Sequence, residues 1–428
     1  MSWALFALGL LAALLALNVH FPLRRPGELA ALTFGPAWWG GELPVHAAVL
    51  YGGLGLGLGL GGGLDEPAGW AGGVGLGLLV VAGLGPVASW RQADRVRARL
   101  LAEGWIERPP EVPWLRYALP FWFRDGLVIK TAGVRCEGEN LRADLYRPRT
   151  ATAGAPMLVY VHGGGWVLGF RRWQGRVLIR RLVRSGWVCV SVQYRLSPWA
   201  TWPDHIVDVK RAIAWAKRMA PGWGADPERV VVSGNSAGGH LAALAALTPG
   251  RAELEPGLGE LDTRVAALVG WYGVYDLLDR AKAWPHGALR RLWELLVMKQ
   301  RVGQARELFE LASPLSHVTA DSPPTLLVHG TLDTLVPIGS ARAMQERYEE
   351  VAPGRCRLLE IEGAEHAFEV FWSRRGALAV EAVAVWLDRV VGSPDADSPT
   401  AARPTAGPRR SGAERASDTA KKAAHPEG

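Results

Sequence analysis

The chain has 428 residues, of which 49% are hydrophobic and 21% charged, and its formal net charge is +7. A chain of this length can bury a full core and exceeds one average domain. Its three cysteines, Cys136, Cys189 and Cys356, cannot all pair and do not stand at metal-ligand spacing, so they argue against a disulfide framework or a zinc site. The basic balance favours an anionic surface. Because the sequence has no nucleic-acid motif, we expect lipid headgroups to provide that surface.

Residues 1–92 are predicted to form a membrane-spanning segment with up to three helices. Three uncharged apolar stretches, each close to the ~20 residues that cross a bilayer, cover 3–19, 44–64 and 70–90. Arg24 and Arg25 follow the first stretch without a small-residue cleavage site, which favours a retained span over a signal peptide. Glycines recur every fourth residue in the second and third stretches and indicate close helix packing. A flexible glycine-rich linker is the alternative.

The charges around these stretches predict an orientation. Arginines follow the first and third stretches, whereas Asp65 and Glu66 are the only charges between the second and third. The positive-inside rule therefore places the N-terminus outside and the chain beyond Arg91 in the cytoplasm, at a bacterial inner membrane. Residues 93–126 are predicted to form a juxtamembrane linker. A basic helix over 91–105, which overlaps the start of this linker, is predicted to lie near the membrane surface.

Residues 127–391 are predicted to form an α/β domain with a mostly parallel eight-stranded sheet and helices on both faces. Strands are predicted at 128–135, 141–146, 157–161, 187–194, 229–233, 265–271, 325–329 and 356–361. Helices are predicted at 173–185, 204–219, 237–247, 338–351 and 377–391. Residues 272–312 interrupt this alternation and could form a cap, although ordinary helix packing explains them equally well. The tail 392–428 has almost no large apolar residue and is predicted to be disordered.

A tight turn between a strand and a helix is predicted around Ser236. The motif there reads Gly234-Asn235-Ser236-Ala237-Gly238-Gly239 and follows the apolar run 230–232. A serine between small residues at such a turn is a nucleophile elbow, which lifts the hydroxyl to the edge of the sheet. The helix that follows would place its N-terminus beneath the serine and stabilise negative charge there.

A glycine-rich loop is predicted after the strand 157–161. Its sequence is His162-Gly163-Gly164-Gly165-Trp166. Consecutive glycines let backbone amides converge on one oxygen, and preorganised donors of this kind stabilise the oxyanion of acyl transfer. We expect the donors to be the amides of Gly163, Gly164 and Ala237.

The motifs HGGGW and GNSAGG, with Tyr194-Arg195-Leu196 between them, resemble those of the hormone-sensitive-lipase-like family of bacterial esterases and lipases, in the α/β-hydrolase superfamily. The resemblance covers roughly 128–391 and leaves the N-terminal segment unexplained. It implies an α/β-hydrolase fold and hydrolysis of acyl esters without metal or organic cofactor. It also implies a variable cap over the acyl pocket.

The base and acid of a serine hydrolase follow the nucleophile in the chain order Ser, Asp, His in this fold. His366 lies between the last predicted strand and the final helix, in a His-Ala-Phe sequence that resembles the family's catalytic loop. Asp333 follows the strand 325–329, where a loop carboxylate could reach His366. The family often has an additional Asp before this position, which is absent here. The Asp-x-x-Val-Pro form also occurs in prolyl-oligopeptidase-like hydrolases.

The sequence therefore predicts a membrane-anchored carboxylic ester hydrolase of esterase or lipase type, with the triad Ser236–His366–Asp333 and no metal or cofactor. Acyl esters or lipids are the expected substrates, and the bilayer is the expected partner. A prolyl-oligopeptidase-like peptidase, a thioesterase or an acyltransferase would use the same triad. An inactive membrane scaffold is the alternative outside enzymes. Oligomeric state and acyl length stay open.

Overall fold

An eight-stranded sheet organises the chain from residue 128 onwards in the computed structural model. The structure describes residues 2–21, 27–63, 69–84, 87–120, 128–136, 139–148, 153–259, 261–284 and 287–392. Arg24, Arg25, Asp65 and Glu66, on which the predicted orientation partly depends, lie outside these ranges, as does the predicted tail beyond Gly392.

The strand order is β1-β2-β4-β3-β5-β6-β7-β8. The strands are β1 (Val128–Cys136), β2 (Glu139–Arg147), β3 (Ala155–Val161), β4 (Val188–Val192), β5 (Ala225–Asn235), β6 (Ala267–Trp271), β7 (Thr325–Gly330) and β8 (Cys356–Ile361). Only β2 runs antiparallel to its neighbours β1 and β4, and the pairs from β4 to β8 are parallel. All eight predicted strands are present, with ends that differ by up to four residues.

Helices cover both faces of the sheet. The larger ones are α7 (Arg176–Arg184), α8 (Asp204–Met219), α9 (Ala237–Leu247), α12 (Gly339–Val351) and α13 (Arg374–Val390), and the short ones are α6 (Trp114–Ala118), α10 (Ala288–Leu292) and α11 (Arg306–Leu311). Met157 and Val159 of β3 join the core with α8, α9 and α12. Leu158 and Tyr160 join the core with α7 and α13. Alternate residues of one strand thus fill two cores, which explains its continuous apolar sequence.

In the described residues, five longer helices and the short α6 precede the sheet, whereas the sequence predicts at most three spans there. The longer helices are α1 (Ser2–His20), α2 (Gly27–Glu42), α3 (Pro44–Leu58), which a π-helical turn (Gly59–Gly63) continues, α4 (Gly69–Leu84) and α5 (Val87–Ala102). Within the part of the chain that the structure describes, two helical segments are long and apolar enough to cross a membrane, Ser2–Val19 and Pro44–Gly61. The third predicted stretch, 70–90, is helical from its start to Leu84 and again from Val87, and Gly85 and Pro86 lie outside the described residues.

The helix contact that uses glycine lies between α1 and α4. A Cβ atom on Gly9 would collide with the backbone of Gly75, and one on Gly75 would collide with the carbonyl of Leu5. By contrast, a Cβ on Gly53 or Gly77, which belong to the predicted four-residue rows, would meet nothing within 4 Å. Close glycine packing therefore occurs, but at other glycines than the repeat indicated.

Helix α5, which covers most of the predicted basic helix, packs on the α/β domain, and its position near a membrane surface stays a prediction. Its Val96 and Leu100 are buried in the core that also contains α13. Arg95 pairs with Glu362 at 3.1 Å, and the Arg99 guanidinium donates to the carbonyl of Glu360. These arginines face protein carboxylates and carbonyls. The predicted linker 93–126 is thus, in its first part, a helix of the folded domain.

Candidate active site

Ser236 sits at the sharp turn between β5 and α9. Its φ is 54°, a strained value for a residue other than glycine. A Cβ on Gly234 would collide with the carbonyl of Gly238, and one on Gly238 would collide with the carbonyls of Val161 and His162. The turn therefore tolerates only glycine at these two positions. Strain of this kind is kept where the surrounding structure enforces it, typically at functional sites.

The structure brings Ser236, His366 and Asp333 into one hydrogen-bonded series. Nε2 of His366 lies 2.9 Å from Oγ of Ser236, and Nδ1 lies 2.7 Å from Oδ2 of Asp333. Asp333 follows β7, and His366 lies between β8 and α13. The three side chains meet because the carboxyl ends of parallel strands share one edge of the sheet. An imidazole placed between a hydroxyl and a carboxylate can take the hydroxyl proton.

Asp333 is held as a carboxylate. Its Oδ1 accepts hydrogen bonds from the amides of Leu335 and Val336, at 3.0 and 2.7 Å. Nε2 of the buried His329 lies 3.2 Å from Oδ2. Burial alone would raise the pKa of Asp333, but the charge of His366 and hydrogen bonds from His329 and His366 lower it to about 2. His329 was not singled out from the sequence, although it ends the strand that leads to Asp333.

The glycine loop packs closely against Ser236, and the amide of Gly163, one of the predicted oxyanion donors, already makes a hydrogen bond. A Cβ on Gly163 would lie 3.1 Å from Cβ of Ser236. However, the amide of Gly163 donates to Oε1 of Gln174 at 2.6 Å, so its role as an oxyanion donor stays a prediction and would require this hydrogen bond to break. Gly164 and Gly165 follow with φ of 122° and 61°, and their amides donate to no residue within the described ranges.

The first histidine of the loop braces the glycines. Nδ1 of His162 donates to the carbonyl of Gly163 at 2.8 Å, and its ring stacks on Tyr194 with centroids 4.4 Å apart. The hydroxyl of Tyr194 donates to the carbonyl of His162 at 3.1 Å. Burial lowers the pKa of His162 to about 4, so the ring is neutral near pH 7. Its position supports a bracing role.

A second buried network lies behind His366 and was missed in the sequence. The ring of Tyr272 packs against His366 with centroids 4.5 Å apart, and its hydroxyl donates to Glu369. The side-chain amide of Asn235 donates to the Tyr272 hydroxyl at 3.0 Å. Burial raises the pKa of Glu369 to about 7, against the effect of the Tyr272 hydrogen bond. The sequence feature that could have indicated this network is Glu-His-Ala-Phe-Glu, which has a carboxylate on each side of the histidine.

The carboxylate before the histidine, Glu365, is buried as well. Its Oε1 accepts from the amides of Thr334 and His366, at 2.6 and 3.0 Å. Burial raises the pKa of Glu365 to about 8, and the negative charge of Asp333 adds to the rise. Glu365 therefore ties the aspartate loop to the histidine loop while it remains largely protonated near pH 7.

Helix α2 lies against the histidine loop, an arrangement that the sequence did not predict. The Phe34 ring packs edge-on against His366 with centroids 6.2 Å apart. The indole N–H of Trp38 donates to the carbonyl of Ala367 at 2.9 Å, and its ring lies 4.8 Å from that of Phe371. Ala367 has φ of 60°, another strained residue beside the site. The N-terminal helices thus form part of the wall around His366.

The predicted cap, 272–312, borders the glycine loop. A Cβ on Gly165 would lie 3.8 Å from Leu292 of α10, and the amide of Trp202 donates to the carbonyl of Val297 at 3.0 Å.

Among the residues that the structure describes, no group of three or more His, Cys, Asp or Glu side chains could hold a metal ion.

The sequence of this chain is similar to those of proteins named as esterases. The BD-FAE family matches residues 143–348, which include Ser236 and Asp333 but not His366. The probable carboxylic ester hydrolase LipM of Mycobacterium tuberculosis is 41% identical over 247 residues, or 58% of this chain and 57% of LipM. Esterase LipQ of the same organism is 39% identical over 256 residues, or 59% of this chain and 60% of LipQ. The matched regions thus span less than two thirds of these relatives.

A solved structure gives the same indication for the fold. The native Est2 esterase of Thermogutta terrifontis superimposes with a TM-score of 0.52 and 26% identity, and the match covers 66% of this chain and 98% of Est2. The α/β domain is therefore similar to α/β-hydrolase esterases in both sequence and fold.

Proposed function

We propose that this protein is a membrane-anchored carboxylic ester hydrolase in which Ser236 is the nucleophile, His366 the general base and Asp333 the acid that orients it. The observation that carries the proposal is the series of hydrogen bonds from Oγ of Ser236 through His366 to Asp333. The similarity to enzymes named as esterases supports the choice of esters over other acyl substrates.

The reaction follows from this geometry. Nε2 of His366 takes the Ser236 proton as Oγ attacks the ester carbonyl, and Asp333 stabilises the imidazolium that forms. The imidazolium then gives its proton to the departing alcohol, which leaves an acyl-serine. Water, deprotonated by the same imidazole, attacks the acyl group, and the imidazolium returns its proton to Oγ of Ser236 as the acyl–Oγ bond breaks and the acid leaves. Because Asp333 stays ionised far below neutral pH, it can orient His366 throughout the physiological range.

The oxyanion would be stabilised by backbone amides of the glycine loop and the elbow. Ala237 begins α9, where helix amides have no intrahelical acceptor and carry partial positive charge. Gly164 remains the predicted partner from the loop. Since the Gly163 amide is bound to Gln174, we assign the third donor to Gly165. Loss of one such donor typically costs a factor of about 10²–10³ in kcat.

We place the anchor in the N-terminal helices. Helices α1 and α3 contain the segments long and apolar enough to cross a bilayer. Helix α4 has 16 residues, or about 24 Å at 1.5 Å per residue, and packs directly against α1 through Gly9 and Gly75. If α4 crosses together with α1 and α3, the odd number of spans puts the α/β domain opposite the N-terminus, in the cytoplasm as the charges predict.

The test is covalent labelling with a fluorophosphonate, which reacts with an activated serine, followed by ester hydrolysis. The full chain in detergent micelles should be labelled, and Ser236→Ala should abolish both labelling and hydrolysis of p-nitrophenyl acyl esters. Ser233→Ala is the matched control, because its hydroxyl lies on the same strand and has no hydrogen-bond partner within the described residues.

Aminoacyl anilides and acyl thioesters separate the enzyme alternatives. A peptidase or thioesterase would prefer these substrates to oxygen esters of the same acyl group. A folded protein that is neither labelled nor active would favour the inactive scaffold over every hydrolase.

A further inference from the structure

Helix α2 is fixed over the catalytic loop by contacts at several points along its length. Phe34 meets the His366 ring, and Trp38 bonds to the next residue's carbonyl. At the end of the helix, Arg375 of α13 pairs with Glu42 at 2.9 Å, with both side chains almost fully buried. The Phe34 and Trp38 rings stack at 5.8 Å, so they present one continuous aromatic surface.

The chemistry decides which part of an ester meets this surface. In ester cleavage the imidazolium donates its proton to the leaving oxygen, so the alcohol portion must lie on the His366 side of the tetrahedral centre. The carbonyl oxygen points instead to the glycine loop, which borders Leu292 of α10. The aromatic surface of α2 is therefore next to the alcohol and not next to the oxyanion.

Helix α2 lies between two apolar helices in the chain, and this position favours an apolar alcohol. Helices α1 and α3, which precede and follow α2, carry the two segments that are long and apolar enough to span a membrane. An apolar cavity of about 800 Å³ lies between α2, α3 and α5, with Trp39, Val49 and Trp90 in its lining. This volume is within the ~300–1,000 Å³ typical of ligand pockets.

We propose that Phe34 and Trp38 of α2 select esters of a long-chain, lipophilic alcohol, whose chain lies against the N-terminal helices while the ester carbonyl reaches Ser236. Phe34 and Trp38 are then specificity-determining residues of the alcohol side. This inference rests on the proposed ester hydrolysis and goes beyond it, because it assigns the apolar part of the substrate to the leaving group.

The experiment varies the two halves of the ester separately, with the full chain in phospholipid nanodiscs. One series keeps the acetyl group and changes the alcohol from butanol to octanol to dodecanol. The other keeps p-nitrophenol and changes the acyl group from acetyl to butyryl to octanoyl. Phe34→Ala is expected to lower kcat/KM for dodecyl acetate about tenfold, mainly through KM, because it removes one buried aromatic contact. Butyl acetate and the p-nitrophenyl series should lose less, so the ratio of kcat/KM for dodecyl acetate to that for butyl acetate should fall in the variant.

Two controls separate selectivity from misfolding. Phe21→Ala removes a phenylalanine from the exposed end of α1 and should change neither series. Phe34→Leu retains apolar volume and should recover part of the dodecyl acetate activity. The labelling rate with a small fluorophosphonate reports whether each variant keeps a working Ser236.

The outcomes are distinct. Equal losses in both series, or a loss confined to the acyl series, in a variant that is labelled normally would overturn the assignment of α2 to the alcohol side. A wild-type protein that is not labelled and cleaves no ester would overturn the proposed function, and the inference with it.

Discussion

The buried carboxyl of Glu365 gives a stability prediction with a defined sign. Burial and the Asp333 charge raise its pKa to about 8 in the folded chain, whereas an unfolded glutamate titrates near 4.3. Between these values the folded state binds one more proton than the unfolded state. The free energy of unfolding therefore decreases as pH rises, by about 1.4 kcal/mol per pH unit. From pH 6 to pH 8 the titration of Glu365 alone lowers the free energy of unfolding by about 2 kcal/mol, because the slope has fallen to half its full value at the folded pKa.

Glu365→Gln removes this titration and keeps the shape. The amide oxygen can still accept from the Thr334 and His366 amides, as the carboxyl does now. The variant should therefore gain stability over the wild type as pH rises, with a difference in Tm that grows by roughly 4–8 °C from pH 6 to pH 8. The assay is intrinsic tryptophan fluorescence during heating in detergent micelles. Titrations shared by both proteins, including that of Glu369, cancel in the difference.

The control is Glu346→Gln on the exposed side of α12, which should shift Tm equally at both pH values. If the Tm difference between Glu365→Gln and wild type is the same at pH 6 and pH 8, then Glu365 is ionised in the folded protein. The reasoning from burial would in that case be refuted.

Three further predictions concern catalysis, helix packing and topology. Asp333→Asn should lower kcat for a p-nitrophenyl ester by about 10⁴ through loss of the oriented imidazole; a loss below tenfold would contradict its role. Gly75→Val should lower Tm in detergent, because the new side chain collides with the Leu5 carbonyl, whereas Gly77→Val, with nothing within 4 Å, should be tolerated. Alkaline phosphatase fused to the C-terminus should be inactive in cells, because it needs export, and strong activity would put the α/β domain outside the cytoplasm.

The parts of the molecule that the sequence predicted are those with a local signal. A β-branched run followed by small residues marked β5 and Ser236, and glycines after β3 marked the loop beside it. Continuous apolar strands, buried on both faces, have a composition distinct from the helices between them. The positions of Asp333 and His366 followed from the order of strands, since both lie in loops directly after a predicted strand.

The parts that escaped prediction depend on contacts far apart in the chain. Gly35, Pro36 and three further glycines lower the helix propensity of 27–42. Helix α2 is nevertheless formed, with Trp38 bonded to a residue 329 positions away. The hydrogen bond of the Gly163 amide likewise depends on where the Gln174 side chain lies, and the spacing of residues in the sequence does not predict that position. In α2 and in the glycine loop, tertiary contacts override local propensity, and sequence periodicity does not predict such contacts.

The same long-range contacts make the N-terminal helices part of the catalytic unit. Arg375, the second residue of α13, lies nine residues after His366 and is 2% exposed. Its guanidinium pairs with Glu42 and donates to the carbonyls of Gly41 and Gly363, at 2.7 Å each. A buried cation that loses such partners costs several kcal/mol, so α2 cannot separate cheaply from the loop that holds His366. The domain boundary near residue 127 stays a prediction, and across it these contacts join α2, which lies between the candidate membrane spans, to the loop that carries His366 of the candidate active site.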